Sequence, residues 1–248
     1  MEWRDQGIVL AVRPYGESGA LISLLTRDHG RHAGLARGGA GRRGRALYQT
    51  GNLVQAVWRA RLGEHLGSFA CELIAAHGGR LIDDPPRLAA LTAAAALAEA
   101  TLPEREPHAP VFDRLVALIA ELEADEPGRR WPERYVRWEL ALLADLGFGL
   151  DLARCAETGT TSALAFVSPR TGRAVSEPAG RRYRDRLFRL PPFLGGAGEP
   201  APEDVLHGLA LAGHFLEQHL VHPPRGLPAA RLRLRDLLER QYRAQRTK

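Results

Sequence analysis

The sequence predicts an α+β protein of several domains: an N-terminal OB-fold β-barrel, then an all-α helical domain carrying a small irregular insert. Three observations carry this. Short apolar runs separated by turn residues fill the first 80 positions. Apolar residues at helical spacing begin near residue 84 and resume after 200. Between these stretches, residues 151–200 are rich in Arg, Gly, Pro, Ser and Thr and hold no sustained period. The expected boundaries are therefore 1–80 for the barrel, 81–150 with 201–248 for the helical domain, and 151–200 for the insert. A chain of 248 residues accommodates that many modules, and 45% hydrophobic with 25% charged residues is a globular composition.

In the first module Ile8-Val-Leu-Ala-Val12 reads as a strand and Pro14-Tyr-Gly-Glu-Ser-Gly19 as a turn cluster. Ala20 to Thr26 is a second strand and Arg27-Asp-His-Gly30 a tight turn. Arg31 to Arg37, Leu53 to Leu62 and Phe69 to Leu73 complete the set. Five short strands over this span fit an OB-fold, with an SH3-like barrel as the competitor.

Asp84 before Pro85 reads as an N-cap followed by proline at the first helical position. Leu88, Leu91, Ala95, Ala98 and Leu102 then share a face, and Val111, Leu115, Leu118 and Leu122 repeat the pattern. Trp131-Pro-Glu opens a third helix, with Val136, Leu140 and Leu143 inward and Gly147 near its end. Residues 202–221 place Val205, Leu209, Ala212, Leu216 and Leu220 on one side. Residues 229–245 place Leu234, Leu238 and Tyr242 likewise. Such helices need one another to bury those faces. In the insert, Leu164-Ala-Phe-Val167 and Arg173-Ala-Val-Ser176 flank a turn, a hairpin with too little core to stand alone.

Charge is unevenly spread. Residues 1–80 hold 11 Arg against 6 acids, for +5, and residues 81–150 hold 7 against 13, for −6. Residues 151–248 hold 15 Arg and Lys248 against 10 acids, for +6. Basic modules favour polyanions, of which nucleic acid is the commonest in the cytoplasm. Lys248 is the only lysine, so 33 of the 34 basic residues are Arg. A P-loop, a Schiff base and a covalent lysyl-nucleotide adduct are thereby excluded, and with them P-loop ATPases, kinases and DNA ligases. The longest charge-free run of the first helical stretch, Leu88 to Ala98, falls short of the roughly 18 apolar residues of a membrane span. Met-Glu-Trp-Arg-Asp lacks the pattern of a signal peptide, so the expectation is a cytoplasmic, nucleoid-associated protein with no membrane partner.

Motifs that carry chemistry are few. Gly39-Ala-Gly41-Arg-Arg-Gly44 matches a dinucleotide fingerprint, but only Arg45 to Thr50 separate it from Gly51, leaving no room for the amphipathic helix such a site needs. Asp83 and Asp84 are explained by a helix cap. His219 and His222 stand at i, i+3, but His214 lies off their face and no Cys or Asp is near. Cys71 and Cys155 make neither a disulfide framework nor a zinc pattern. No nucleophile elbow is present. The expectation is a non-enzyme with no cofactor, no metal and no catalytic residue.

The arginines of the first module give a stronger signal. Strand alternation puts Arg31, Ala33, Leu35 and Arg37 on one face. It likewise groups Gln55, Val57, Arg59 and Arg61, while Val54, Ala56, Trp58, Ala60 and Leu62 point the other way. Between them lies Gly38-Gly-Ala-Gly-Arg42-Arg43-Gly-Arg45, a glycine-rich loop expected to be mobile. Arg31, Arg37, Arg42, Arg43, Arg45, Arg59 and Arg61 are thus candidates for a track that neutralises successive phosphates without reading sequence. Tyr15 and Tyr48 are candidate stacking platforms, and Trp58 a core residue.

Several blocks together resemble the RecO family of bacterial recombination mediators. They are Trp3-Arg-Asp-Gln-Gly7-Ile-Val-Leu, Tyr15-Gly-Glu-Ser-Gly19, Leu24-Leu-Thr26-Arg-Asp-His-Gly30-Arg, Ala36-Arg37-Gly38-Gly39 and Gln49-Thr-Gly51-Asn. Leu143-Ala-Asp-Leu-Gly147-Phe-Gly-Leu-Asp151 with Cys155, and Leu190-Pro-Pro-Phe193, continue the match in order. The resemblance implies an N-terminal OB-fold, a helical domain and often a small zinc ribbon. It implies binding of single- and double-stranded DNA and annealing of complementary strands without ATP. It also implies docking of the C-terminal tail of the single-stranded DNA-binding protein SSB, and work with RecR to load RecA. The ribbon departs from the family: four thiols are common there, whereas the corresponding positions here are Cys155, Thr158, Ser176 and Ala179. One thiol cannot hold structural zinc, so the insert reads as a degenerate zinc ribbon. The resemblance assigns the SSB tail to the helical domain. The cations Arg231, Arg233, Arg235, Arg240, Arg243, Arg246 and Lys248 of the last helix suit an acidic tail, with Arg240 and Arg243 the testable pair.

The competing function classes are an OB-fold nuclease and an RNA-associated binding module. A metal-dependent nuclease needs clustered carboxylates, yet Glu2, Asp5, Glu17, Asp28, Glu64 and Glu72 are scattered through the first module. Charge alone does not separate RNA from DNA.

Overall fold

The computed structural model describes residues 1–124, 130–221 and 226–246. Five strands form the N-terminal part: β1 (Glu2–Tyr15), β2 (Gly19–Thr26), β3 (Gly30–Ala36), β4 (Leu53–Arg59) and β5 (Ser68–Ala75). They close into a barrel in the order β1-β2-β3-β5-β4. Closure depends on the length of β1 and on a register shift between Val9 and Ala11. The first half of β1 pairs with β4, Glu2 opposite Arg59, and the second half with β2, Tyr15 opposite Gly19. The strand read as Ile8–Val12 is therefore far longer, because its polar first half is held by pairing rather than by hydrophobicity. The last link, β3 to β5, is parallel at Leu35 and Ser68. This is the OB-fold expected, and not the SH3-like alternative.

Alternation fills the barrel. Val9, Ala20, Ile22, Leu24, Ala36, Val54, Ala56, Trp58 and Phe69 are buried together. Between β3 and β4 the expected mobile loop is instead an ordered turn followed by helix α1 (Arg42–Leu47). Gly39 N–H donates to Ala36 O, Ala40 N–H to Ser18 O and Gly41 N–H to Gly38 O. Asn52, fully buried, donates Nδ2 to Ala46 O and Leu47 O and so satisfies the end of α1.

After the short α2 (His77–Arg80), Asp84 caps α3 (Pro85–Thr101) by accepting from Arg87 N–H, as the sequence indicates. α3 is buried well beyond one face, through Ala90, Leu91, Ala93, Ala94, Ala95, Leu97 and Ala98. Its alanines allow close approach, and Gly51 (φ 88°) leaves room for Leu91, whose side chain would meet a Cβ there at 2.5 Å. α4 (Ala109–Glu123) buries Val111, Leu115, Leu118 and Leu122 as expected. Polar ties bind both helices to the barrel: Arg27 to Asp113 at 3.1 Å, and Ser23 Oγ to Glu99. At the tip of the β2–β3 turn, Gly30 (φ 68°) abuts the carbonyl of Glu106.

By packing, Met1–Asp125 with Pro228–Arg231 form one compact unit, and Glu126–Leu227 with Leu232–Lys248 a second. In the second unit α5 (Trp131–Asp145) packs on α7 (Asp204–His219), where Gly208 admits Val136. Leu142 and Leu143 of α5 are buried, and Leu140 is half-buried. The insert is a three-stranded sheet, β7-β6-β8, of β6 (Leu164–Val167), β7 (Ala174–Ser176) and β8 (Phe188–Arg189). Its third strand is too short to register as a period in the sequence. α6 (Glu177–Gly180) and a 3-10 turn (Arg181–Arg186) lie between β7 and β8. The chain ends in α8 (Ala229–Arg246), with Leu234 and Leu238 buried. Arg231, expected among its exposed cations, is buried. His222 and Lys248, and the side chain of Arg246, lie outside the described residues. No helix is long and apolar enough to cross a membrane among the described residues.

Candidate nucleic-acid interface

One face of the barrel carries a concavity of about 580 Å³. Leu47, Tyr48, Val57, Phe69, Ala70 and Cys71 give it an apolar floor, and Arg37, Arg43 and Arg59 reach it from three elements. Arg37 follows β3, Arg43 is carried by α1 and Arg59 ends β4. Cationic side chains around an apolar floor suit a phosphate backbone with a base or sugar edge beneath it. Arg59 pairs with its cross-strand neighbour Glu2 at 2.9 Å, and both side chains are more than half exposed. That hydrogen bond lowers the Glu2 pKa and raises that of Arg59. A pair this open contributes little, so an incoming phosphate can take the place of Glu2.

The other candidates are placed differently. Arg42, Arg45 and Arg61 are exposed but do not line the concavity. Arg31 stands apart: its side chain is 15% exposed, it donates Nε to Leu102 O at 2.7 Å, and it pairs with Glu104 and Glu99. It anchors the stretch after α3. Tyr48, read as a stacking platform, is instead buried, and burial together with neighbouring Cys71 raises its pKa. Burial pushes the Cys71 thiol up to about 12, a donor from Tyr48 notwithstanding, so it is an inert part of the floor. Tyr15 is exposed and Trp58 is core, as expected. Ser68, Phe69 and Cys71 escape the sequence reading as site residues because β5 alternates poorly and carries no arginine. The fingerprint Gly39–Gly44 does run into a helix after all, its last three residues opening α1, but α1 has six residues and sits in a barrel, not in a βαβ unit.

In the insert, three of the four positions that match zinc ligands in the resemblance do come together. Burial would raise the Cys155 thiol, but hydrogen bonds from Ser176 and Thr158 outweigh it and bring it down to about 6. Ser176 N–H donates to Cys155 Sγ at 3.3 Å. One thiol, two weakly ligating hydroxyls and an alanine do not fit structural zinc, and the sulfur is already engaged by a donor. Among the described residues no group of three or more His, Cys, Asp or Glu is arranged to hold a metal. His214 lies within 3.1 Å of Pro169 O, and His219 stacks on Phe148 and Phe215.

A closed OB barrel with a basic concavity, followed by helices, defines the class of OB-fold nucleic-acid-binding proteins. Within that class the chain belongs to the recombination protein O family. Residues 1–77 match the family's N-terminal model, "Recombination protein O N terminal", and residues 82–228 its C-terminal model, "Recombination protein O C terminal". The chain is similar to proteins named DNA repair protein RecO from Rhodospirillum centenum (54% identity over 95% of this chain and 94% of the relative) and Rhodospirillum rubrum (53% over 99% and 100%). A third, from Jannaschia sp., is 49% identical over 97% of this chain and 98% of its own. A role in DNA repair and recombination follows from membership.

Proposed function

We propose that the protein is a non-enzymatic recombination mediator of the cytoplasmic nucleoid. It binds single- and double-stranded DNA, anneals complementary strands without ATP, and with RecR promotes RecA loading onto SSB-coated single strands. The barrel at residues 1–80 holds DNA, and the helical domain holds the SSB tail. The observation that carries the reading is the convergence of Arg37, Arg43 and Arg59 over an apolar floor. Arg42, Arg45 and Arg61 extend the positive field around it, and Arg31 serves by fixing the stretch after α3.

The test is incubation of labelled complementary strands with protein and Mg²⁺, without ATP. Annealing is expected, and shortening of the strands would support a nuclease instead. Changing Arg42, Arg43 and Arg45 together to Ala should weaken binding to any sequence. For every phosphate no longer neutralised, the slope of log affinity against log salt should fall by roughly 0.7 to 0.9. An unchanged slope would remove α1 from the interface.

A further inference from the structure

We propose a second strand-binding surface, in the insert, centred on Tyr183. The segment Arg181-Arg-Tyr-Arg-Asp-Arg186 forms a 3-10 turn in which no residue is buried. Tyr183 is 55% exposed. Four arginines and one aspartate surround it. Arg181 pairs at 3.7 Å with Glu177 and Arg184 at 3.7 Å with Asp185, all widely exposed. Arg182 and Arg186 have no ion-pair partner among the described residues.

Packing does not account for this segment, yet packing holds it in place. At its start Gly180 is buried so tightly on the Phe166 ring that a Cβ there would clash with it. At its end Leu187 N–H donates to Arg184 O, β8 pairs with β6 at Phe188 and Val167, and Leu190 is buried. Six exposed residues are thus displayed from two fixed ends, which lowers the entropy lost when a ligand binds. Arg189, exposed in β8, adds a further cation three residues on.

The chemistry selects the partner. Arginines neutralise phosphates, and an open tyrosine face supplies a stacking platform for a base. A duplex keeps its bases stacked and leaves that ring without a partner. An acidic peptide would satisfy the arginines but makes no use of an aromatic face. The ligand is therefore an unpaired nucleic-acid strand. With the barrel concavity as a first site, one molecule then holds two strands, which annealing requires. This rests on the proposed DNA binding.

The test uses the full chain and oligothymidylate, which cannot self-pair. Three variants are compared with the parent: Arg182→Ala with Arg186→Ala, Tyr183→Ala, and Tyr183→Phe. Two oligothymidylates bearing donor and acceptor dyes report simultaneous occupancy by energy transfer. The double variant should lower the salt slope by roughly 1.4, two phosphates at about 0.7 each for single strands. Tyr183→Ala should weaken strand capture about tenfold, and Tyr183→Phe should retain it. Energy transfer should fall in the first two variants while tight binding of one strand per chain persists. Unaltered melting temperatures are expected, since no side chain in the segment is buried. If the parent binds oligothymidylate and these variants match it in slope and energy transfer, the second surface is overturned and the barrel site stands. If the parent itself fails to bind, the proposed function fails with it. A variant weakened only for an acidic peptide would also overturn the assignment to nucleic acid.

Discussion

His32 is an expensive residue for a barrel interior. It is 4% exposed, and neither ring nitrogen has a hydrogen-bond partner. Its ring is enclosed by Trp58, Trp3 and Phe69, with centroids 4.7, 5.1 and 6.1 Å away. Burial, followed by the charges of Arg105 and His29, lowers its pKa to about 4. The unfolded chain would protonate near the ordinary value of 6.5. Between these two values the unfolded state takes up a proton that the folded state refuses. Stability is thus complete above about pH 6.5 and falls as pH drops toward 4. Denaturant titrations followed by tryptophan fluorescence should show a flatter stability profile over that window for His32→Leu. An identical profile would mean that His32 finds a partner in solution. Cys155 presents the opposite case, a buried sulfur satisfied by donors. Purified protein should carry no stoichiometric zinc, and chelators should leave its melting temperature unchanged. One zinc per chain by elemental analysis would contradict this.

At the scale of elements, α1 decides whether Arg43 reaches the concavity. Gly44 sits where a Cβ would meet the carbonyl oxygens of Gly38 and Gly39 at 2.5 Å. Its own backbone is not left-handed, so alanine would favour the helix by propensity. Gly44→Ala should nonetheless displace α1 and reduce the salt slope by roughly 0.7 to 0.9, as though Arg43 were absent, with no charge removed. An unchanged slope would show that α1 accommodates the methyl group in place. The strands were legible because Val54, Ala56 and Trp58 alternate with Gln55, Val57 and Arg59, and burial follows that alternation. α1 was not: six residues preceded by glycines and interrupted by Gly44 hold no period, and the end of the helix depends on Asn52, whose role is a tertiary one. The candidate site was half legible for the same reason. Face assignment put Arg37 and Arg59 on the outward side, and both line the concavity, but nothing local to Arg31 foretold Glu99 of α3 and Glu104 in the stretch after it. Nothing local to Tyr183 distinguished it from a loop tyrosine until the burial on either side of it was known.

For the whole molecule, charge is unevenly placed. Residues 81–150 are acidic, so the proposed docking of an acidic tail calls for cations elsewhere, and α8 exposes Arg233, Arg235, Arg240 and Arg243. Arg235 and Arg243 are shared with Glu239, at 3.6 and 3.8 Å, in exposed pairs that a carboxylate ligand can displace. Arg240→Glu with Arg243→Glu should weaken binding of an SSB tail peptide at least tenfold in a fluorescence titration, while strand annealing persists. Peptide affinity equal to that of the parent would place the pocket elsewhere in the helical domain.

The first unit is discontinuous along the chain, taking Met1–Asp125 and then Pro228–Arg231. Ala230 and Arg231 of that returning segment are buried. Ribosomes deliver the chain at roughly 5 to 20 residues per second. The barrel with α3 and α4 therefore emerges several seconds before the last four residues that belong with it. During vectorial synthesis the first unit thus stands without residues 228–231 while the second unit is made. An excised N-terminal fragment ending at residue 124 would remain permanently in that unfinished state.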